Sequence, residues 1–196
     1  MHIDTASKKY ALIVATARDL FWKYGFKRVS VEELCAKANV SKMTFYKFFP
    51  NKVELAKAVF TSESEAGLQK FKNILREKNT PAITIKKMVQ LKLDGTADIS
   101  KDFLHDFYED NNEGLKDFVV QTSHAAWLQI VEEIRVAQSQ KIFTSAIKPE
   151  LLIHVTQAMG LLVTDNKLLD LYVSPHELIG ELTHLLAYGL AADANE

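Results

Sequence analysis

The chain is poor in the residues that interrupt helices and in the residue that forms disulfides. Its 196 residues include only 7 glycines, 4 prolines and one cysteine, Cys35. Because helix breakers are few and no segment alternates apolar and polar residues as a strand does, we predict an all-α protein. A lone cysteine forms no internal disulfide, so we expect a reducing, cytoplasmic compartment.

Long apolar runs and catalytic signatures are also missing. No run approaches the roughly 18 apolar residues of a membrane-spanning helix, and the first ten residues have no apolar stretch, so we expect no membrane partner and no secretory signal. The sequence has no glycine-rich phosphate loop and no nucleophile elbow, so we do not expect an enzyme or a cofactor. The six histidines lack the spacing of a zinc site, and no metal site is predicted.

Charge is divided unevenly along the chain. Residues 1–60 hold 11 Lys/Arg and 5 Asp/Glu, a net charge of +6, whereas residues 61–196 hold 13 and 20, a net charge of −7. A basic head on an acidic body favours a polyanionic partner for the head alone. Five aspartates recur at every fourth residue from Asp94 to Asp110, and we interpret them as a solvated acidic face and not as a metal site.

Capping residues mark the predicted helix starts. Ser30 and Glu33 have the spacing of a capping box, and Thr80 and Ser174 each precede a proline at a first helical position. With the apolar spacing between them, these signals predict about nine helices. Their approximate ranges are 5–24, 31–38, 42–48, 51–78, 81–93 (ending near Asp94-Gly95), a short helix after Ser100, 113–138, 149–163 and 175–192.

The two short helices at 31–38 and 42–48 are joined by Asn39, Val40 and Ser41. Asn tolerates the left-handed backbone that a tight turn needs, and Val40 supplies an apolar residue between two crossing helices. The arrangement predicts a helix-turn-helix.

The stretch from Ile13 to Leu55 resembles the N-terminal domain of the tetracycline-repressor (TetR) family. The matching residues are Ile13, Ala17, Leu20, Phe21, Gly25, Phe26, Ser30, Val31, Glu33, Leu34, Ala38 to Phe49, Asn51, Lys52 and Leu55. The resemblance implies a three-helix helix-turn-helix DNA-binding domain at residues 1–50 and a larger helical ligand-binding and dimerisation domain at residues 51–196. Two residues depart from the family pattern, since Asn39 replaces a usual glycine and Met43 replaces a usual small residue.

Double-stranded DNA is therefore the predicted partner of the head. Lys42, Met43 and Thr44 occupy the first turn of the third helix, whose N-terminal end suits the major groove, and we expect them to read bases. For Met43, contact with a thymine methyl and simple packing both remain open. The phosphate contacts are expected from Tyr46, Lys47 and Lys52. Ser30 and Ser41 complete the predicted set, although capping alone explains Ser30 equally well.

The resemblance also implies a homodimer formed through the helices at 149–163 and 175–192, and a cavity for a small apolar or aromatic effector. Aromatic and methionine side chains on inward faces suit such a ligand, although most residues of this kind belong to a core. The candidate pocket residues are Phe71, Met88, Phe103, Phe107, His124 and Trp127.

The sequence thus favours a dimeric repressor that binds a pseudo-palindromic operator and is released by an effector. The alternative is a DNA-binding regulator that is controlled by a protein partner, or acts as an activator, without a small-molecule ligand. A redox sensor built on Cys35 is a weaker idea, because Cys35 falls on the inner face of its helix and is expected to be a buried, unreactive thiol.

Overall fold

The structure, a computed structural model, describes residues 7–109 and 112–189. Within these ranges it contains ten α-helices and no β-strand, which confirms the predicted all-α fold class. The helices are α1 (Lys8–Tyr24), α2 (Val31–Lys37), α3 (Lys42–Phe48), α4 (Lys52–Arg76), α5 (Pro81–Thr96), α6 (Lys101–Leu104), α7 (Leu115–Ser139), α8 (Leu151–Leu162), α9 (Asn166–Leu169) and α10 (Pro175–Gly189). A π-helical turn, His105–Glu109, follows α6, and a 3-10 turn, Asn112–Gly114, precedes α7.

Side-chain caps begin the helices where the sequence predicts them. The Ser30 hydroxyl accepts a hydrogen bond from the Glu33 N–H at 3.1 Å, and the Thr80 hydroxyl accepts one from the Ile83 N–H at 3.4 Å. Each bond satisfies an N–H group that has no partner inside its helix. The predicted capping roles of both residues are confirmed.

Two helical segments differ from the prediction. Helix α5 runs through Gly95 to Thr96 instead of stopping near Asp94-Gly95, since a single glycine costs a helix only about 1 kcal/mol. The four-residue helix α9 was not predicted at all. The Asp165 carboxylate accepts hydrogen bonds from the N–H groups of Lys167 and Leu168 and begins it.

The chain forms two compact units. One comprises the described residues of Met1–Glu63 and Asp98–Gln121, and the other those of Ser64–Ala97 and Thr122–Glu196. These units cut the chain differently from the expected division at residue 50, because residues 98–121 belong to the same unit as the helix-turn-helix. The assignment of DNA binding to residues 1–50 remains a prediction about function.

An aromatic cluster forms much of the core of the first unit. Phe107 lies on the π-helical turn and stacks on Phe103 of α6, with 4.5 Å between ring centroids. Trp22 of α1 lies 4.4 Å from the Phe103 ring, and Phe21 and Phe26 lie 5.6 Å from each other. All five side chains are buried. The segment from α6 to Glu109 is therefore packed into the same core as α1.

The second unit has its own core. Its buried members are Leu75, Ile85, Ile134, Ala137, Phe143 and Leu152, and partly buried residues such as Phe71, Met88 and Trp127 pack against them. Helix α10 lies close against α5 at Gly180, where an added Cβ would lie 3.1 Å from a methyl of Leu93. Among the described residues, no helix is both long and apolar enough to cross a membrane.

Candidate nucleic-acid interface

The turn between α2 and α3 has the geometry that the sequence predicts. Asn39 has a φ of 49°, in the left-handed region, which asparagine tolerates better than most residues. The next N–H group, that of Val40, donates to the Cys35 carbonyl at 3.0 Å. The Ser41 hydroxyl then accepts a hydrogen bond from the Thr44 N–H at 3.1 Å and starts α3. This short turn fixes the direction in which α3 leaves α2.

One side of α3 is anchored in the core. Phe45, Phe48 and Phe49 are all buried. The Tyr10 ring of α1 lies 5.8 Å from Phe48 and 5.2 Å from Phe49. Because large rings on a short helix contact α1 directly, α3 is held as a rigid element.

The opposite side of α3 is open to solvent, and we call its four exposed residues the reading face. They are Lys42, Met43, Tyr46 and Lys47. Met43 is 85% exposed and Tyr46 is 53% exposed, which is unusual for large apolar side chains. In this structure Met43 does not pack into the core, and its side chain is available to a partner.

Thr44 and the two predicted serine contacts have local partners. The Thr44 and Ser41 hydroxyls lie 3.0 Å apart, and the Thr44 side chain is half-buried. The Ser30 and Ser41 hydroxyls cap α2 and α3. Contacts of these three residues with DNA stay predictions, and capping already gives both serines a role.

Lys42 has a partner that sequence reasoning missed. Its ammonium donates a hydrogen bond to the Glu32 carboxylate at the start of α2. This bond raises the pKa of the Lys42 amine and lowers the pKa of the Glu32 carboxyl. Residue type and spacing in the sequence do not predict this pair, because the two residues lie on different helices and come close only when the turn between α2 and α3 has formed.

Lys52 points in a different direction from the one predicted. We expected its ammonium beside free N–H groups at the start of α4, ready for a phosphate. Instead its Nζ donates to the carbonyls of Phe26 and Val29, each at 2.8 Å, and lies 4.2 Å from the centre of the Phe26 ring. Burial lowers the pKa of the Lys52 amine, an effect that the Asp106 carboxylate opposes. Lys52 therefore ties the loop between α1 and α2, residues 25–29, to α4.

Asp106 holds the same loop and departs from the expected solvated acidic face, whereas the other described aspartates of the series are exposed. The residue is only 4% exposed, and its carboxylate accepts a hydrogen bond from the Lys27 N–H at 2.9 Å. Gly25, with a φ of 78°, lies so close that an added Cβ would stand 2.7 Å from an Asp106 oxygen. One turn earlier, Asp102 forms an ion pair with Arg28 at 3.1 Å. The last aspartate of the series, Asp110, lies outside the described residues.

The six predicted pocket residues have three different surroundings. Phe103 and Phe107 are buried in the aromatic core of the first unit, and their place in a pocket stays a prediction. His124 is exposed, which contradicts its expected inward position. The remaining three, Phe71, Met88 and Trp127, are partly buried around the core of the second unit. An aromatic or methionine residue on an apolar helix face indicates a buried side chain. Burial alone does not tell whether that side chain lies in a packed core or lines a pocket.

Cys35 behaves as predicted. It is a free thiol, 5% exposed. Burial raises its pKa, and the nearby Glu32 carboxylate acts in the same direction. Both effects disfavour the reactive thiolate.

Comparisons with known proteins place the helix-turn-helix segment among bacterial regulators. A family model described as "Bacterial regulatory proteins, tetR family" matches residues 13–59. The HTH-type transcriptional regulator RutR of Escherichia coli K12 is 33% identical over 92 residues, which are 47% of this chain and 43% of RutR. The chain therefore spans less than half the length of this curated relative.

Solved structures share the fold over nearly the whole chain. Reduced E. coli NemR has a TM-score of 0.70 at 18% identity and covers 95% of this chain and 100% of its own. The regulatory protein TetR from Rhodobacter sphaeroides has a TM-score of 0.70 at 14% identity, with 94% and 100% covered. The fatty acid degradation regulator FadR from Bacillus halodurans has a TM-score of 0.68 at 17% identity, with 95% and 98% covered. With its helix-turn-helix and this family match, the segment 13–59 is similar to the N-terminal domain of the TetR family of bacterial regulatory proteins, and the chain shares its fold with the solved TetR regulator over 94% of its length.

Proposed function

We propose that the chain is a DNA-binding transcriptional regulator that acts as a homodimeric repressor on a pseudo-palindromic operator. The reading face of α3 carries this proposal. Phe45 and Phe48 anchor the buried side of this short helix in the core. Its solvent-exposed side carries the four residues of the reading face, most of which are basic or can form hydrogen bonds. A helix held in this way enters a major groove without losing order.

The exposed residues divide the work by their chemistry. Lys42 and Met43 occupy the first turn, where side chains reach base edges, and a methionine suits the thymine methyl. Tyr46 and Lys47, in the next turn, suit phosphate oxygens. Thr44 contributes to the first-turn contact through its hydroxyl. Lys52 acts behind the face, where it holds the loop that precedes α2.

A second copy of the chain is the proposed partner of α8 and α10. Exposed leucines lie on both helices, with Leu161 74% and Leu185 75% exposed. Leu151, Leu162 and Tyr188 extend these apolar surfaces. Monomeric proteins rarely expose so many large apolar side chains on neighbouring segments. A dimer also brings two reading faces to half-sites about one DNA turn apart.

Release by a small apolar or aromatic effector remains part of the proposal. Phe71, Met88 and Trp127 support it, because these three residues surround the core of the second unit without being fully buried. An effector that binds more tightly to the conformation with weak DNA affinity shifts the dimer toward that conformation, and so lowers the overall affinity for DNA by its differential binding. Control by a protein partner, or activation without a small ligand, is the alternative, and a screen of apolar and aromatic compounds against protein-bound DNA separates the two.

Selection from random duplexes tests DNA recognition with the full chain. We expect an enriched pseudo-palindrome, and affinity that falls as salt rises. On the selected duplex, Met43→Ala should relax the preference at one base pair in each half-site, whereas Lys47→Ala should weaken all sequences alike. Lys87→Ala, on α5, serves as the control and should change neither. Failure to enrich any sequence contradicts the proposed function, and identical effects of the Met43 and Lys47 variants contradict the division of roles.

A further inference from the structure

The Glu32–Lys42 pair places a carboxylate directly beside the residue that starts the reading face. Glu32 is the second residue of α2, and Lys42 is the first residue of α3. Their side chains are hydrogen-bonded to each other, yet they remain 64% and 55% exposed. A carboxylate in this place faces the polyanion that the proposed function requires, so its presence needs a physical reason.

Fold stability does not supply that reason. Exposed ion pairs contribute at most about 1 kcal/mol, and many contribute nothing measurable. Helix α2 already has its Ser30 cap, and Glu33 adds a second carboxylate to its first turn. What Glu32 does beyond stability is therefore to fix the position of the Lys42 ammonium.

We propose that Glu32 is a positioning residue that determines base specificity by aiming Lys42. An ammonium has three N–H donors. One is bound by Glu32, and two remain for a partner with two adjacent acceptors, which is what the O6 and N7 atoms of guanine offer in the major groove. This inference rests on the proposed DNA-binding function and specifies one base-pair contact within it.

Charge gives Glu32 a second effect in the same direction. A free lysine strengthens binding to any phosphate, because it releases a condensed counterion wherever it binds. The Glu32 carboxylate cancels the charge of Lys42, so the pair adds no net attraction to random DNA. Lys42 then contributes mainly where a guanine is correctly placed, and the ratio of specific to nonspecific affinity rises.

The experiment compares base preference and salt dependence in the full chain for the wild type, Glu32→Ala, Lys42→Ala and the double variant. Glu32→Ala and Lys42→Ala should lose preference at the same base pair of each half-site, and the double variant should match Lys42→Ala. Glu32→Ala should also bind random duplex more tightly, because the freed lysine can neutralise one more phosphate. For each reading face, we expect affinity to rise about fivefold at about 0.15 M salt, and the slope of log affinity against log salt concentration to become steeper by about 0.9.

Two further variants separate positioning from charge. Glu32→Gln keeps an acceptor oxygen but loses the charge, so it should retain part of the base preference while binding random duplex more tightly. Glu33→Gln removes a carboxylate from the next residue of α2, and it should leave the base preference unchanged.

Two results overturn the inference while the proposed function stands. In the first, Glu32→Ala selects the same site as the wild type at every base pair, so the carboxylate only repels DNA. In the second, Glu32→Ala and Lys42→Ala alter different base pairs, so Glu32 contacts a base by itself. A wild type that selects no site overturns both the inference and the proposed function.

Discussion

Replacing Lys52 by methionine tests whether this residue supports the DNA-binding head from behind. The substitution keeps an unbranched apolar stem and removes the ammonium. It leaves the carbonyls of Phe26 and Val29 without their 2.8 Å donor, and it removes the cation that lies 4.2 Å from the Phe26 ring. The loop before α2 then loses its link to α4.

The expected cost follows from these contacts. A hydrogen bond from a charged donor is worth about 1.5–3 kcal/mol, and the cation–ring contact adds about 0.5–1 kcal/mol. Lys52 is only half-buried, so water recovers part of the loss. We therefore expect the free energy of unfolding to fall by about 3 kcal/mol, which lowers the melting temperature by roughly 6–12 °C in a chain of this size.

Urea unfolding followed by circular dichroism measures this cost, and Lys57→Met is the matched control. Lys57 lies on the same helix and pairs with Glu54 at 2.8 Å, and its Nζ lies 5.8 Å from the Phe118 ring, so its loss should cost only about 1 kcal/mol. An unchanged midpoint for Lys52→Met, together with weakened DNA binding, would refute the reasoning. Lys52 would then be the phosphate contact that its place in the sequence suggests.

Three further substitutions or treatments test other parts of the account. Gly25→Ala should lower the free energy of unfolding by roughly 2–4 kcal/mol, because of its φ of 78° and the 2.7 Å approach to Asp106; a wild-type urea midpoint would contradict this. Cys35, whose pKa is raised by burial, should react with a thiol reagent far more slowly in the native chain than in urea, and DNA binding lost on mild oxidation would contradict an inert role. Leu185→Glu should shift the chain from dimer to monomer in sedimentation velocity, and an unchanged dimer would show that α10 lies outside the interface.

Local features of the helix-turn-helix were predictable from the sequence. Ser30 caps the next residues of its own helix, and Asn39 adopts the left-handed turn that its position requires. Phe45 and Phe48 lie on the buried side, as their spacing indicates. Each of these outcomes depends on neighbours within a few residues, which is the distance over which spacing and capping rules operate.

Features that depend on distant contacts were not predictable in this way. Asp106 accepts the Lys27 N–H across 79 residues of sequence, and its regular spacing with other aspartates indicated solvent instead. We predicted that the Lys52 ammonium would contact a phosphate, but it binds carbonyls of the loop before α2, which lies against the start of α4. Phe103 shows the same limit, since its apolar character was correctly recognised and its place in the first unit was not.

The most direct test of the central claim is a titration of the selected duplex beside one in which a single half-site is scrambled. The account predicts two chains on the intact duplex, with at least about a hundredfold weaker binding once one half-site is lost, since several base contacts worth about 1–3 kcal/mol each disappear. Equal affinity for both duplexes, or one chain on each, would contradict a dimeric regulator that reads a pseudo-palindrome through α3.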